Sequence, residues 1–319
     1  SLLREGLDRY QAKAGNVIIM ESTTGKILTM AAYPNYDPSH FADFDKSVYQ
    51  NPSVANLFEP GSIFKVLVMA AALNEKVVTP TTICDICAGP IHIGQYTIKT
   101  WNEKYYPNST LTDVIVHSDN IGMVFTARLL GKEKFARYLS DFGIGQLTGI
   151  ELQGEAAGPK KLQADLKDID LATNSFGQGI AVTPIQMLTA VNAIANKGVL
   201  VSPTIVEKIK NGDKEVSLPQ AAKKEVIKPE TAIQIRDMMI AAVDRGEAKW
   251  ARPKNIEIAG KTGTAQIPIA GHYDPEKTIA SFIGFFPARQ PRYTMLVSLT
   301  EPQTSPWGSE TAAPLWFAI

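Results

Sequence analysis

Residues 59–65 read EPGSIFK and run directly into VLVMAAALNEK at 66–76. The Pro-Gly pair marks a turn, and the nearly continuous apolar residues after it predict a helix that starts near Ser62 and is buried rather than laid on a surface. Such a start places Ser62 and Lys65 one turn apart on one face, with Cβ atoms about 5–6 Å apart, close enough for an amine to reach a hydroxyl. Two readings compete. In one, Ser62 is an ordinary helix-start serine and Lys65 snorkels out of the helix. In the other, Lys65 takes the proton of a nucleophilic Ser62, which requires its pKa to come down toward the working pH. Burial, the positive end of a helix and a second ammonium nearby would each push it that way. On the S-x-x-K spacing alone, the first reading is preferred.

Working outward, NVIIMES and KILTMAAY are β-rich runs joined by TTG, a hairpin signal that predicts antiparallel strands at about 16–22 and 26–33. SLLREGLDRYQAKAG ahead of them reads as an amphipathic helix. From about 75 to 180 the pattern is helical and loop-rich, with DVIVHSDNIGMVFTARLLG and EKFARYLSDFG as short helices ending at glycines. TPIQMLTAVNAIANKG gives a further helix, with Thr183 as N-cap, Pro184 at the first helical position and Gly198 just past the end; another covers about 229–245. Strands return in IEIAGKTGTAQ, TIASFIGFFPA and RYTMLVSLTE, before the terminal AAPLWFAI. Strands from both ends of the chain around a helical middle predict an α/β (α+β) fold, a central antiparallel sheet flanked by helices with an inserted all-α lobe. The sheet lobe is expected at about 1–60 and 199–319, the helical lobe at about 75–180.

Two further patterns carry chemistry. In VHSDNIG, Ser118 and Asn120 of an extended or turn segment point the same way while Asp119 turns back into the protein. Ser118 is then placed to relay a proton and Asn120 to hold a substrate amide, although an Asx or Ser helix cap explains the same residues more simply. His117 beside them reads as structural. In AGKTGTAQ, Lys261 and Gly263 share one face of a strand. A fixed positive charge beside a position without a side chain would let a carboxylate-ended peptide lie against the strand edge, with Thr262 and Thr264 adding hydroxyl contacts. The backbone N–H groups of Ser62 and Thr264 together make a candidate oxyanion hole. The simpler alternative is a glycine kink at a sheet edge.

The chain has 319 residues, with 32 basic and 32 acidic side chains, so no net charge draws it to nucleic acid or an anionic membrane, and no local patch replaces it. The apolar run VLVMAAAL is far shorter than the roughly 18 residues that cross a bilayer. The chain opens on Ser1, which suggests a domain cut from something longer. Its two cysteines, Cys84 and Cys87, form C-x-x-C with only His92 close by, too few ligands for zinc; a small disulfide or a pair of loop thiols remain as readings. Neither metal nor cofactor is expected.

S-x-x-K, S-x-N and K-T-G each occur once and in this order, the trio shared by class A β-lactamases and penicillin-binding proteins. Over nearly its whole length the chain resembles the transpeptidase domain of a class B penicillin-binding protein, through GNVIIMESTTGKILTMAAYPNYDP, FEPGSIFK, FGIGQLTGIELQGEAAG, NSFGQGIAVTPIQMLTAVNAIANKG, AGKTGTAQ and SFIGFFPARQPRYTMLVSL. FEPGSIFK with AGKTGTAQ is more similar to the division and sporulation branch than to the elongation branch, although Asp119 is more familiar from β-lactamases. The resemblance implies a β-lactamase/transpeptidase-like fold in which Ser62 is the nucleophile, Lys65 its base and Ser118 the proton shuttle. It implies Asn120 as the holder of the substrate amide, and Lys261, Thr262, Gly263 and Thr264 as the strand that receives the substrate carboxylate. Peptidoglycan stem peptides would be the substrates and β-lactams covalent inhibitors. The resemblance also implies a membrane anchor and pedestal domain in a longer parent, an extracytoplasmic location, and a membrane glycan polymerase and division proteins as partners of that parent. A D,D-carboxypeptidase, a serine β-lactamase using Glu151 or Glu155 for water, and a non-catalytic β-lactam sensor or division scaffold remain as alternatives.

Overall fold

The structure is a computed structural model that describes residues 1–158, 166–212, 214–217, 222–269 and 272–319. The first amphipathic segment is helix α1 (Leu2–Tyr10), and the hairpin that follows is β1 (Ala14–Glu21) and β2 (Ile27–Tyr33), turned at Gly25. The C-terminal third supplies β3 (Ala259–Ile269), β4 (His272–Phe286) and β5 (Tyr293–Thr300). These five strands form one antiparallel sheet in the order β2-β1-β5-β4-β3, with Val17 opposite Val297 and Ser281 opposite Gly263. Both chain ends thus meet in one sheet, and β3 lies at its edge.

Period-two alternation explains how the sheet is covered on both sides. Val17, Phe282, Val297 and Leu299 join Leu7 of α1 and Trp316 in one apolar cluster, whereas Ile18, Met20, Ile283 and Leu296 join the helical core on the opposite face. The terminal AAPLWFAI is a helix, Ala312–Ala318, and the Trp316 indole donates to the Met295 carbonyl at 2.9 Å. β5 is buried over its six central residues because neither face meets solvent.

The stretch around Ser62 begins as a 3-10 turn, Gly61–Phe64, and becomes helix α2 (Lys65–Asn74) at the lysine, three residues later than the sequence suggests. Every residue from Lys65 to Leu73 is buried, as the continuous apolar pattern requires. After α2 come a short strand pair, Ile91–Ile93 with Tyr96–Ile98, then helices α3 (Leu111–Val116) and α4 (Asn120–Leu130). The segment expected as one helix is therefore two, broken at His117–Asp119. Helices Lys132–Asp141 and Asp168–Ser175 complete this part, followed by Pro184–Ala195, capped by Thr183 and Gln186, and by Pro229–Arg245. Cys84 and Cys87 form a disulfide, both fully buried in the helical core.

Candidate active site

The turn that carries Ser62 is wedged between two segments distant in sequence. The Gly61 amide donates to the Gly177 carbonyl at 3.0 Å, and Phe58 pairs with Val182 in an antiparallel bridge just before it. Gly177 has φ +81°, and a Cβ there would come within 2.2–2.8 Å of the Gly61 backbone, so the close approach depends on a hydrogen at this position. Gly177→Ala is expected to cost about 2–4 kcal/mol through backbone strain and displacement of the turn. Urea denaturation checks this, and an unchanged midpoint would show that the turn accommodates the methyl.

On the other side the turn packs against β3. A Cβ at Gly263 would lie 2.4 Å from Ser281 Oγ and 2.9 Å from the Ile63 side chain. The place without a side chain, which the sequence assigns to a substrate backbone, is filled by the protein itself: Gly263 lets the Ser62 turn approach the edge strand.

Lys65 is fully buried at the start of α2. Its Nζ donates to the Ser118 carbonyl at 2.5 Å and to Asn120 Oδ1 at 2.8 Å, and lies 3.3 Å from Ser118 Oγ. These partners come from the break between α3 and α4 and from the first residue of α4. Ser118 occupies the left-handed region, φ +57°, and Asp119 caps α4 by accepting from the Ile121 amide at 2.7 Å and the Gly122 amide at 3.3 Å. The cap and the chemistry thus coexist in one tripeptide, since Asp119 turns inward to end the break while Ser118 and Asn120 turn toward Lys65. Asn120 Nδ2 donates to the Lys99 carbonyl at 3.0 Å, which fixes its amide orientation. His117 stacks on Tyr106 with ring centroids 3.9 Å apart, in keeping with a structural role.

Burial lowers the Lys65 pKa far below that of a free lysine, and the charge of Lys261 pushes the same way, against the opposing pull of Asp119 and Glu247. Lys261 is 2% exposed, and burial brings its pKa down to about 8, again against the pull of Glu247. Its Nζ donates to the Thr262 carbonyl at 3.2 Å and to Thr262 Oγ1 at 3.3 Å. Two lysine side chains, one from a helix and one from a sheet strand, are therefore both buried.

Above them opens a cleft of about 210 Å³ whose lining includes Ser62, Asn120 and Thr264, one residue from each pattern. Thr264 Oγ1 accepts from the Gly308 amide at 3.0 Å. Lys65, Ser118, Lys261, Thr262 and Gly263 are not among its lining residues; Lys65 bonds Asn120, which is, and contacts Ser118 behind it. Trp101 and Trp307 also line the cleft with ring centroids 4.7 Å apart, as does Gln178. Sequence reasoning missed these three, because nothing local in IKTWNE, FGQG or SPWG signals a cleft.

An acyl-transfer site is what this arrangement can form: a hydroxyl on a tight turn, an amine with a lowered proton affinity, a second hydroxyl beside that amine, and a cationic edge strand. The penicillin binding protein transpeptidase domain family matches residues 15–319, and the chain belongs to it. It is 36% identical to stage V sporulation protein D of Bacillus subtilis over 99% of this chain and 50% of that protein, and 33% identical to penicillin-binding protein PbpB of Mycolicibacterium smegmatis over 98% and 50%. The chain thus spans about half the length of these curated relatives. Among solved structures it is similar to penicillin-binding protein 3 of Mycobacterium tuberculosis complexed with aztreonam, with a TM-score of 0.92, 28% identity, and coverage of 99% of this chain and 73% of that one. No helix among the described residues is long and apolar enough to cross a membrane.

Proposed function

We propose that this chain is the catalytic domain of a class B D,D-transpeptidase that cross-links peptidoglycan stem peptides, in the division or sporulation branch. The observation that carries the reading is the grip of Ser118 and Asn120 on the buried Lys65 beneath a cleft lined by Ser62, Asn120 and Thr264. A neutral Lys65 has two N–H groups, which suit the Ser118 carbonyl and Asn120 Oδ1, and one lone pair left to accept a hydroxyl proton. Lys65 takes the Ser62 proton as Oγ attacks the penultimate carbonyl of a stem peptide ending in D-Ala-D-Ala. The Ser62 and Thr264 amides receive the oxyanion. Collapse breaks the peptide bond, Ser118 passes a proton to the departing D-Ala amine, and the acyl group stays on Ser62 as an ester. An amine from a second stem peptide then attacks that ester and restores the Ser62 hydroxyl. Asn120 orients the substrate amide, and Lys261, Thr262 and Thr264 receive the terminal carboxylate, on the strand that Gly263 keeps close to Ser62.

β-Lactams acylate Ser62 by the same route, with the ring amide opened rather than a peptide bond cleaved. Rapid hydrolysis is disfavoured because the two loop acids are engaged elsewhere: Glu151 accepts from Thr204 Oγ1 and the Ile205 amide, Glu155 from the Thr148 amide and hydroxyl. The domain division into a sheet lobe and a helical lobe, and a longer parent with an anchor that holds this domain on the extracytoplasmic face beside a glycan polymerase, belong to the same proposal. Intact-mass analysis after incubation with benzylpenicillin tests it. The expected result is one penicilloyl adduct on Ser62 that outlasts the experiment; rapid turnover with no adduct would favour a β-lactamase, and no reaction a non-catalytic role.

A further inference from the structure

We propose that the chain carries a second ligand site, a pocket of about 480 Å³ distinct from the catalytic cleft, which takes an uncharged, largely apolar small molecule bearing one hydrogen-bonding group such as an amide. The site stands without the transpeptidase reading. The sheet builds its floor. Asn16 of β1 lies opposite Ser298 of β5, Ala14 lies opposite Thr300, and Thr300 in turn faces Ile279 of β4. Period-two alternation turns these side chains to one face of the sheet, together with Ile267 of β3, and all of them line the pocket. The remaining wall comes from the segment that joins β2 to the Ser62 turn, through Val48, Pro52, Leu57 and Phe58, and from Pro184.

Polarity and charge define the ligand class. Asn16 and Ser298 are only 5% and 8% exposed. Asn16 Nδ2 donates to Ser53 Oγ at 3.0 Å, which leaves its second N–H without a partner among the described residues. The Ser298 hydroxyl makes no hydrogen bond among the described residues. A hydroxyl so far from solvent ordinarily has a partner, and the pocket is where one fits. The lining holds no lysine, arginine or histidine, and its one charged residue, Glu301, is paired with Lys13 at 3.2 Å. A carboxylate-ended peptide or a penicillin would therefore bury an uncompensated anion here. The volume is more than twice that of the catalytic cleft and falls within the roughly 300–1,000 Å³ of small-molecule sites, which combine apolar walls with a few placed polar groups. The two cavities share their supports. Phe58 pairs with Val182 four residues ahead of Ser62, and β3 gives Thr264 and Gln266 to the cleft but Ile267 to the second pocket. An occupant thus touches both segments that hold the Ser62 turn without entering the cleft.

The test is an isoleucine-methyl NMR titration of the chain with N-benzylacetamide, a neutral probe with one ring and one amide. The expected result is saturable movement of the Ile267 and Ile279 methyl signals, assigned through Ile267→Val and Ile279→Val. Ser298→Ala removes the hydroxyl alone and is expected to weaken binding about two- to tenfold, the worth of one hydrogen bond. Its thermal midpoint should stay near wild type, since no described residue bonds that hydroxyl. Ser298→Leu also fills the floor and should abolish binding; if it does not fold, Ser298→Ala carries the test. Hippurate, which adds a carboxylate to a similar ring and amide, should bind at least about tenfold more weakly than the neutral probe. Shifts that never saturate, or equal affinity in Ser298→Ala, would show that the pocket holds only water and overturn the proposal. Hippurate binding as tightly as the neutral probe overturns the ligand class, and probe-induced shifts confined to the Trp101 and Trp307 indole signals place the probe in the catalytic cleft and overturn the second site.

Discussion

Ser62→Ala is expected to abolish penicilloyl-adduct formation and to reduce release of D-Ala from a D-Ala-D-Ala peptide by on the order of 10⁴–10⁶-fold, the scale of losing a catalytic nucleophile. The fold should survive. The turn around Ser62 is held by the Gly61 amide on the Gly177 carbonyl and by the Ile63 side chain in the slot beside Gly263, and none of these contacts uses the hydroxyl. A thermal midpoint close to wild type, combined with complete loss of the adduct by intact mass, separates chemistry from stability. A variant that still gains the penicilloyl mass would place the nucleophile elsewhere and end the proposed mechanism.

Lys65→Ala is expected to slow acylation by about 10²–10⁴-fold, the usual contribution of a positioned general base. The substitution also leaves the Ser118 carbonyl and Asn120 Oδ1 without their shared donor, so the geometry of the break loosens as well. The pH profile distinguishes these effects. In wild type the rate is expected to rise with pH as Lys65 loses its proton, since burial and Lys261 put that loss well below the ordinary lysine range. It is expected to fall again as pH passes through about 8, where Lys261 gives up the charge proposed to receive the substrate carboxylate. Removing Lys65 erases the rising limb and keeps the falling one. Stopped-flow acylation between pH 5 and 9 shows whether it does; a rising limb that persists without Lys65 would assign the base to another group.

Much of this was legible because apolar period and turn chemistry are local. The β-rich runs NVIIMES and RYTMLVSLTE mark two strands of the sheet, and the apolar run after Ser62 marks a helix buried on all sides. The break at His117–Asp119 was harder. DVIVHSDNIGMVFTARLLG has helical character throughout, and the left-handed Ser118 is held by tertiary contact with Lys65, which no local window contains. The packing at Gly263 is hidden for a similar reason: a strand glycine announces close approach, but the approach of Ile63 comes from a segment 200 residues away. The two tryptophans carried no signal, because a cleft is a property of converging segments.

The tryptophans give the cleft one more property. Trp101 leaves the strand pair that follows α2, Trp307 follows β5, and their rings meet at 4.7 Å and 60°. One indole therefore stands on each bank of the groove, close enough for their electronic transitions to couple. Anything that parts the banks uncouples the pair, and near-ultraviolet circular dichroism then reports occupancy of the groove in the unlabelled protein.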